Sequence, residues 1–129
     1  MYSYFGLVSL GFLVCQTLSF AALSLTNCAD NQIEFQIDTP WPSMEGNAKI
    51  RGKAIETWLN RQDSLISMHC LRRGGSSMPT SWSCFTELGE EKSIRATFWS
   101  RDLESHARIF FEKNGQIVET YEPTCSQTL

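Results

Sequence analysis

None of the five asparagines, Asn27, Asn31, Asn47, Asn60 and Asn114, is followed by x-Ser/Thr, so the chain has no N-glycan acceptor. It has no C-x-x-C, P-loop, HExxH, nucleophile elbow or calcium loop, and it holds only 2 histidines. An enzyme built on this sequence needs a site that no short motif labels. Basic excess is missing as well. With 11 Lys+Arg against 14 Asp+Glu the formal net charge is −3, which argues against non-specific binding of a polyanion and leaves room only for a local basic groove. No charged side chain precedes Asp30.

That last absence defines the first segment. Residues 5–23, FGLVSLGFLVCQTLSFAAL, are apolar or weakly polar, and Ser19-Phe20-Ala21 and Ala22-Leu23-Ser24 fit the small-x-small rule for cleavage. Residues 1–24 read as a secretory signal peptide, although its start lacks Lys and Arg. An uncleaved anchor is disfavoured by Gln16, Thr17 and Ser19 and by the small residues that follow. Residues 25–129 then form one small domain, with no repeat, linker or second unit.

Of 5 cysteines, Cys15 leaves with the signal. Cys28, Cys70, Cys84 and Cys125 remain, an even set that reads as two disulfides with three connectivities. We favour Cys28–Cys125, which ties the two ends of the domain together, and Cys70–Cys84. A zinc site on His69, Cys70 and Cys84 lacks finger spacing.

The strongest local signal is Asn114-Gly115 within RIFFEKNGQIVETY, a type I′ hairpin turn. A two-residue loop sets Lys113 against Gln116, Phe111 against Val118, Phe110 against Glu119, Ile109 against Thr120 and Arg108 against Tyr121. Ile109, Phe111 and Val118 then share one face, and Arg108, Phe110, Glu119 and Tyr121 the other.

Period-two alternation predicts further strands at Ile33–Asp38, Leu65–Leu71 and Ser93–Ser100, with a shorter one from Trp82 that Gly89 ends. Ile50, Ala54, Ile55, Trp58 and Leu59 fall on one helical stripe, which predicts a helix over Ala48–Gln62 capped by Ser43 or Asn47. Arg72-Arg73-Gly74-Gly75-Ser76-Ser77 with Pro79 reads as an exposed loop, and Arg101–Ser105 as a polar turn. The element order predicts an α+β fold with a single helix packed on a twisted antiparallel β-sheet and the far face left for binding.

On that far face His69, Arg95, Arg108, Glu119 and Tyr121 are candidates. Histidine and glutamate as acid and base, with arginine on the developing charge, suit metal-free RNA cleavage: His69, Arg95 and Glu119. The plainer reading is a wet sheet face of ordinary cross-strand pairs, and it carries more weight. Arg72, Arg73, Trp99, Arg108 and Tyr121 are the candidate binding residues. His106 reads as a solvated loop histidine. Trp58 belongs to the core stripe, while Trp41, Trp82 and Trp99 are candidates for an exposed aromatic surface.

The leader, Cys28, IEFQID, AKIRGKAIETWLNRQ, SLISMHCL, SIRATFW, the terminal hairpin and Cys125, taken together, resemble the RNase-like effectors secreted by powdery mildew fungi. The resemblance covers the mature chain and is one of architecture. It implies an RNase-like domain over 25–129, a disulfide between Cys28 and Cys125, and a virulence protein whose scaffold is used without its catalytic residues. It also implies delivery into the host cytoplasm, binding of a host protein or RNA, and recognition by plant immune receptors. No cofactor, no membrane attachment after cleavage and a monomer are expected. Two alternatives are an active secreted ribonuclease and a cystatin-like protease inhibitor, whose Gln-x-Val-x-Gly loop this chain lacks.

Overall fold

The computed structural model describes residues 25–40, 43–74, 81–101 and 104–127. Along these residues the elements are β1 (Leu25–Ala29), β2 (Glu34–Asp38), β3 (Glu45–Arg51), α1 (Lys53–Leu59), β4 (Ile66–Arg73), β5 (Ser81–Gly89), β6 (Lys92–Arg101), β7 (Glu104–Lys113), β8 (Gln116–Tyr121) and β9 (Thr124–Gln127). The expected leader, Trp41 and the loop residues 75–80 lie outside the described residues.

The strands do not form an open sheet beneath a helix. Every pairing is antiparallel, and the order β6-β5-β4-β3-β2-β1-β9-β7 returns from β7 to β6, closing an eight-stranded barrel. This overturns the α+β, RNase-like expectation, and the cystatin-like alternative falls with the open sheet. Two contacts complete the ring: β6 with β7, in register from Lys92↔Lys113 to Arg101↔Glu104, and β1 with β9 at the two ends of the domain. An eight-stranded barrel is just wide enough to be filled by side chains. Here Phe35, Ile37, Ile50, Ile94, Ile109 and Phe111 are among the buried residues. Among the described residues no helix is long and apolar enough to cross a membrane.

The alternation is plain on β2, β4 and β6. Phe35 and Ile37 on β2, Met68 and Cys70 on β4, and Ile94, Ala96 and Phe98 on β6 point inward, with polar neighbours outward. Trp82, offered as a surface aromatic, lies in the core opposite Phe98. Arg72 and Arg73 belong to β4 rather than to a loop, opposite Trp82 and Ser81. The polar turn expected over Arg101–Ser105 is shorter, because β6 runs to Arg101 and β7 starts at Glu104.

The helix is where the sequence misled most. Gly46, Ala48 and Ile50 are buried in alternation with exposed Glu45, Asn47, Lys49 and Arg51, so this stretch is β3 and only Lys53–Leu59 is helical. Neither Ser43 nor Asn47 caps the helix; the N-cap is Gly52, at φ 132°. A Cβ there would sit 2.5 Å from the Gln32 carbonyl oxygen. That carbonyl accepts a 3.0 Å bond from the Ala54 N–H, which ties the helix start to the β1–β2 turn. A side chain held in this region costs about 1–3 kcal/mol. Gly52→Ala is therefore expected to lower the urea midpoint by at least that equivalent, with the slope unchanged; an unaltered midpoint would show that the corner relaxes freely.

α1 closes one end of the barrel. Ile55 is fully buried, and Trp58 stacks on Phe111 with ring centroids 4.6 Å apart. Lys92 Nζ donates to the Trp58 carbonyl at 2.9 Å.

The terminal hairpin forms around Asn114 and Gly115, at φ 55° and 78°, but its register differs from the one expected. After Lys113↔Gln116 and Glu112↔Ile117 a bulge leaves Val118 without an opposite residue, and pairing resumes as Phe111↔Glu119, Phe110↔Thr120 and Ile109↔Tyr121. Val118 is therefore exposed, and Tyr121 turns toward the core, its ring centroid 5.1 Å from that of Phe111.

Both disulfides join residues directly opposite each other on neighbouring strands: Cys28–Cys125 across β1 and β9, and Cys70–Cys84 across β4 and β5. The zinc alternative is excluded, because Cys70 and Cys84 are already bonded to each other.

Candidate functional site

Closure turns one face of every strand into solvent-facing surface, and the registers of β4 to β7 set the outward side chains in rows. His69, Phe85, Arg95 and Phe110 are successive register partners across the four strands. One step along lies Leu71, Ser83, Thr97 and Arg108, and one further lies Arg73, Ser81, Trp99 and His106. Adjacent strands are about 4.8 Å apart, so Arg95 lies within reach of Phe85 in its own row and Arg108 within reach of Trp99 in the next.

Arg95 and Arg108 on this face carry carboxylate partners, and His69 lies beside one. His69 Nε2 lies 3.2 Å from a Glu45 oxygen on β3. Arg95 Nε donates to Glu112 at 3.1 Å while its guanidinium sits 4.8 Å from the Phe85 ring centre. Arg108 donates to Glu122 at 3.0 Å and lies 5.7 Å from the Trp99 ring centre. These pairs are half-exposed, so each contributes at most about 1 kcal/mol to stability. Their more important effect is to offer donors and acceptors side by side on one surface.

The rows end in a cleft of about 600 Å³, lined by Trp99, Glu104, His106, Glu122, Thr124 and their neighbours. It forms because β8 and β9 meet β7 in one continuous register, Tyr121 opposite Ile109 and Thr124 opposite His106, with Glu122 and the buried Pro123 breaking the line between them. Trp99 and His106 stack on the outer surface at 5.5 Å, and His106 Nε2 lies 3.8 Å from Glu104. His106 is thus a strand residue beside an aromatic platform, not a loop residue. The signal that marks it is its place in the β6–β7 register, Trp99↔His106, which is invisible before β6 and β7 are paired.

Of the residues singled out from sequence, His69, Arg95 and Arg108 share the outer face, and Trp99 joins them. Glu119 and Tyr121 do not. Their register partners Phe111 and Ile109 point into the barrel, so the bulge has carried both to the opposite side. The Tyr121 hydroxyl donates to the Glu119 carboxylate, and its pKa is pushed up to about 12, first by burial, then by that bond and the Glu119 charge. The acid–base set His69, Arg95 and Glu119 is therefore not assembled; the carboxylate beside His69 is Glu45, at the start of β3. Arg73 ends the third row, and Arg72 faces the Trp82 position. Among the described residues no group of three or more His, Cys, Asp or Glu side chains is arranged to hold a metal ion.

No protein-family model matches the chain, and no curated protein and no solved structure is significantly similar to it.

Proposed function

We propose that the chain is a secreted recognition protein that binds another protein through the outer face of β4–β7, anchored at the Trp99–His106 cleft, and that it acts without turnover. The observation that carries this reading is the repeated placement of a cation, its carboxylate partner and an aromatic ring on one outer face. A polyanion is held by uncompensated cations, whereas Arg95 and Arg108, two of the arginines of this face, are each paired with a carboxylate. Protein interfaces use Trp, Tyr and Arg anchors within a polar rim, which is the chemistry this face offers.

Secretion is supported by the uncharged stretch over residues 5–23 and by the use of all four remaining cysteines in disulfides, which persist in oxidising compartments. The virulence-effector role, with a host protein as partner, belongs to the same proposal; it rests on the leader and the paired terminal cysteines and not on the fold. Ribonuclease activity through His69, Arg95 and Glu119 has lost its basis, since the three do not share a face.

The test is to pass plant leaf extract over the oxidised protein and three variants: Trp99→Ala/Arg108→Ala, His69→Ala, and Lys49→Ala as a control on another part of the barrel. Labelled total RNA is followed in parallel. A protein retained by the parent and the Lys49 variant, and at least tenfold less by the Trp99/Arg108 variant, supports the reading. Equal retention by all would move the site elsewhere, and RNA cleavage lost only in His69→Ala would replace binding with catalysis.

A further inference from the structure

Barrel closure removes strand edges, yet one remains. Among the described residues β8 pairs with β7 alone, and Gln116 to Thr120 are exposed along their whole length. An open edge presents N–H and C=O groups to any strand that can meet them, and proteins commonly blunt such edges with Lys or Pro. β8 has neither. It carries Ile117 and Val118, which are 57% and 51% exposed, and its single charge, Glu119, is engaged by the Tyr121 hydroxyl.

The bulge gives this edge an unusual symmetry. Register partners share a face, so Gln116, Glu119 and Tyr121 lie on the side of Lys113, Phe111 and Ile109, the inner side, while Ile117 and Thr120 lie on the outer side of Glu112 and Phe110. Lys113, Gln116 and Glu119 are themselves exposed, since β8 overhangs the barrel. Residues 117 and 120, three apart, would lie on opposite faces of a regular strand. The unpaired Val118 puts them on the same one. Read from either end, the strand therefore runs inward, outward, two central residues, outward, inward.

We infer that β8 pairs antiparallel with β8 of a second copy of this chain, about a twofold axis between Val118 and Glu119. In that register Ile117 meets Thr120 of the second copy on the outer face, and Gln116 meets Tyr121 on the inner face. Val118 lies across from Glu119, so like charges are never directly opposed. A slip of one residue either way sets outward Ile117 against inward Glu119 or Tyr121, and one of the two slips brings the Glu119 carboxylates together. A palindromic facing is what an isologous contact requires, and it has no use in pairing with an unrelated strand. The assembly is then a dimer rather than the monomer expected from sequence, and the outer face of β4–β7 is left free on both copies.

The experiment uses the full chain expressed through a secretory route and recovered oxidised. Its mass is measured by sedimentation from low micromolar to millimolar concentration, beside Ile117→Lys/Thr120→Lys. Both substituted side chains are exposed, and near-ultraviolet circular dichroism checks that the variant is folded. The parent is expected to reach the dimer mass, and the variant to dissociate at least tenfold more readily. Hydrogen exchange on the parent alone gives an independent reading, with the amides of 117–120 gaining protection as concentration rises. A parent that stays monomeric throughout, or a dimer whose protection maps elsewhere and survives the lysines, overturns the inference.

Discussion

Replacing Cys28 and Cys125 together by alanine is expected to lower the unfolding free energy of the oxidised domain by about 4–5 kcal/mol, against about 3 kcal/mol for the Cys70/Cys84 pair. The difference follows from loop length. The first bridge closes a separation of 97 residues and the second one of 14, and the denatured-state entropy removed grows with the logarithm of the loop. Three of these four cysteines, Cys28, Cys70 and Cys84, are fully buried, so the voids left by alanine are similar and largely cancel in the comparison. Position in the fold reinforces the order. β1 and β9 form the seam that closes the ring, and β9 is otherwise held to β7 by the single register pair His106↔Thr124. Losses of this size consume much of the stability of a domain of about 100 residues. Urea titrations followed by tryptophan fluorescence give both values, and an equal or reversed order would show that the seam is held by its strand pairing rather than by the bridge.

The seam also marks the limit of what was legible in the chain. Ile33/Phe35/Ile37, Ile66/Met68/Cys70 and Ile94/Ala96/Phe98 read as strands because each buries one face, a property local to the strand. Closure is a property of pairs far apart in sequence. In LTNCA and TCSQ, the short and partly polar β1 and β9, the cysteines announce that the two ends meet, but nothing announces that they meet as paired strands. The helix was overextended because Ile50 satisfies two periods at once, two with Gly46 and Ala48, and 3.6 with Ala54 and Ile55. Gly52, which falls inside the expected helix, is the corner where one period gives way to the other.

The site was legible in part for the same reason. His69, Arg95, Trp99 and Arg108 were found because outward positions alternate with an apolar set. Glu119 and Tyr121 were assigned to the wrong face because a bulge at Val118 has no sequence signature strong enough to shift a register that Asn114-Gly115 otherwise fixes. Glu45 and His106 were missed because each lies in a strand that was read as something else, and Glu122 because it lies just past the predicted hairpin.

Phe111→Ala is expected to cost about 3–5 kcal/mol, the range for truncating a fully buried aromatic side chain. The argument rests on what the ring joins. Phe111 is wholly buried on β7, stacked at 4.6 Å and 17° on Trp58 of α1 and tilted at 5.1 Å against Tyr121 of β8. Among the described residues it is the one side chain in direct ring contact with both the element that plugs the barrel end and the strand that overhangs it. Its loss removes apolar area and leaves a void between parts of different origin, which cannot collapse together without shifting α1. Trp58→Ala should cost less, because Trp58 is only half-buried and alanine keeps the carbonyl to which Lys92 donates, although the approach of Lys92 Nζ to the ring at 5.6 Å is lost. Because the two rings touch, the double variant should fall short of the sum by about 0.5–1.5 kcal/mol, the coupling of a stacked aromatic pair. Phe111→Ala should also raise exchange of the Ile117–Tyr121 amides well above global unfolding, because β8 loses the ring against which Tyr121 leans. A loss below about 2 kcal/mol, with β8 exchange unchanged, would mean that α1 and β8 are held to the barrel by the backbone alone.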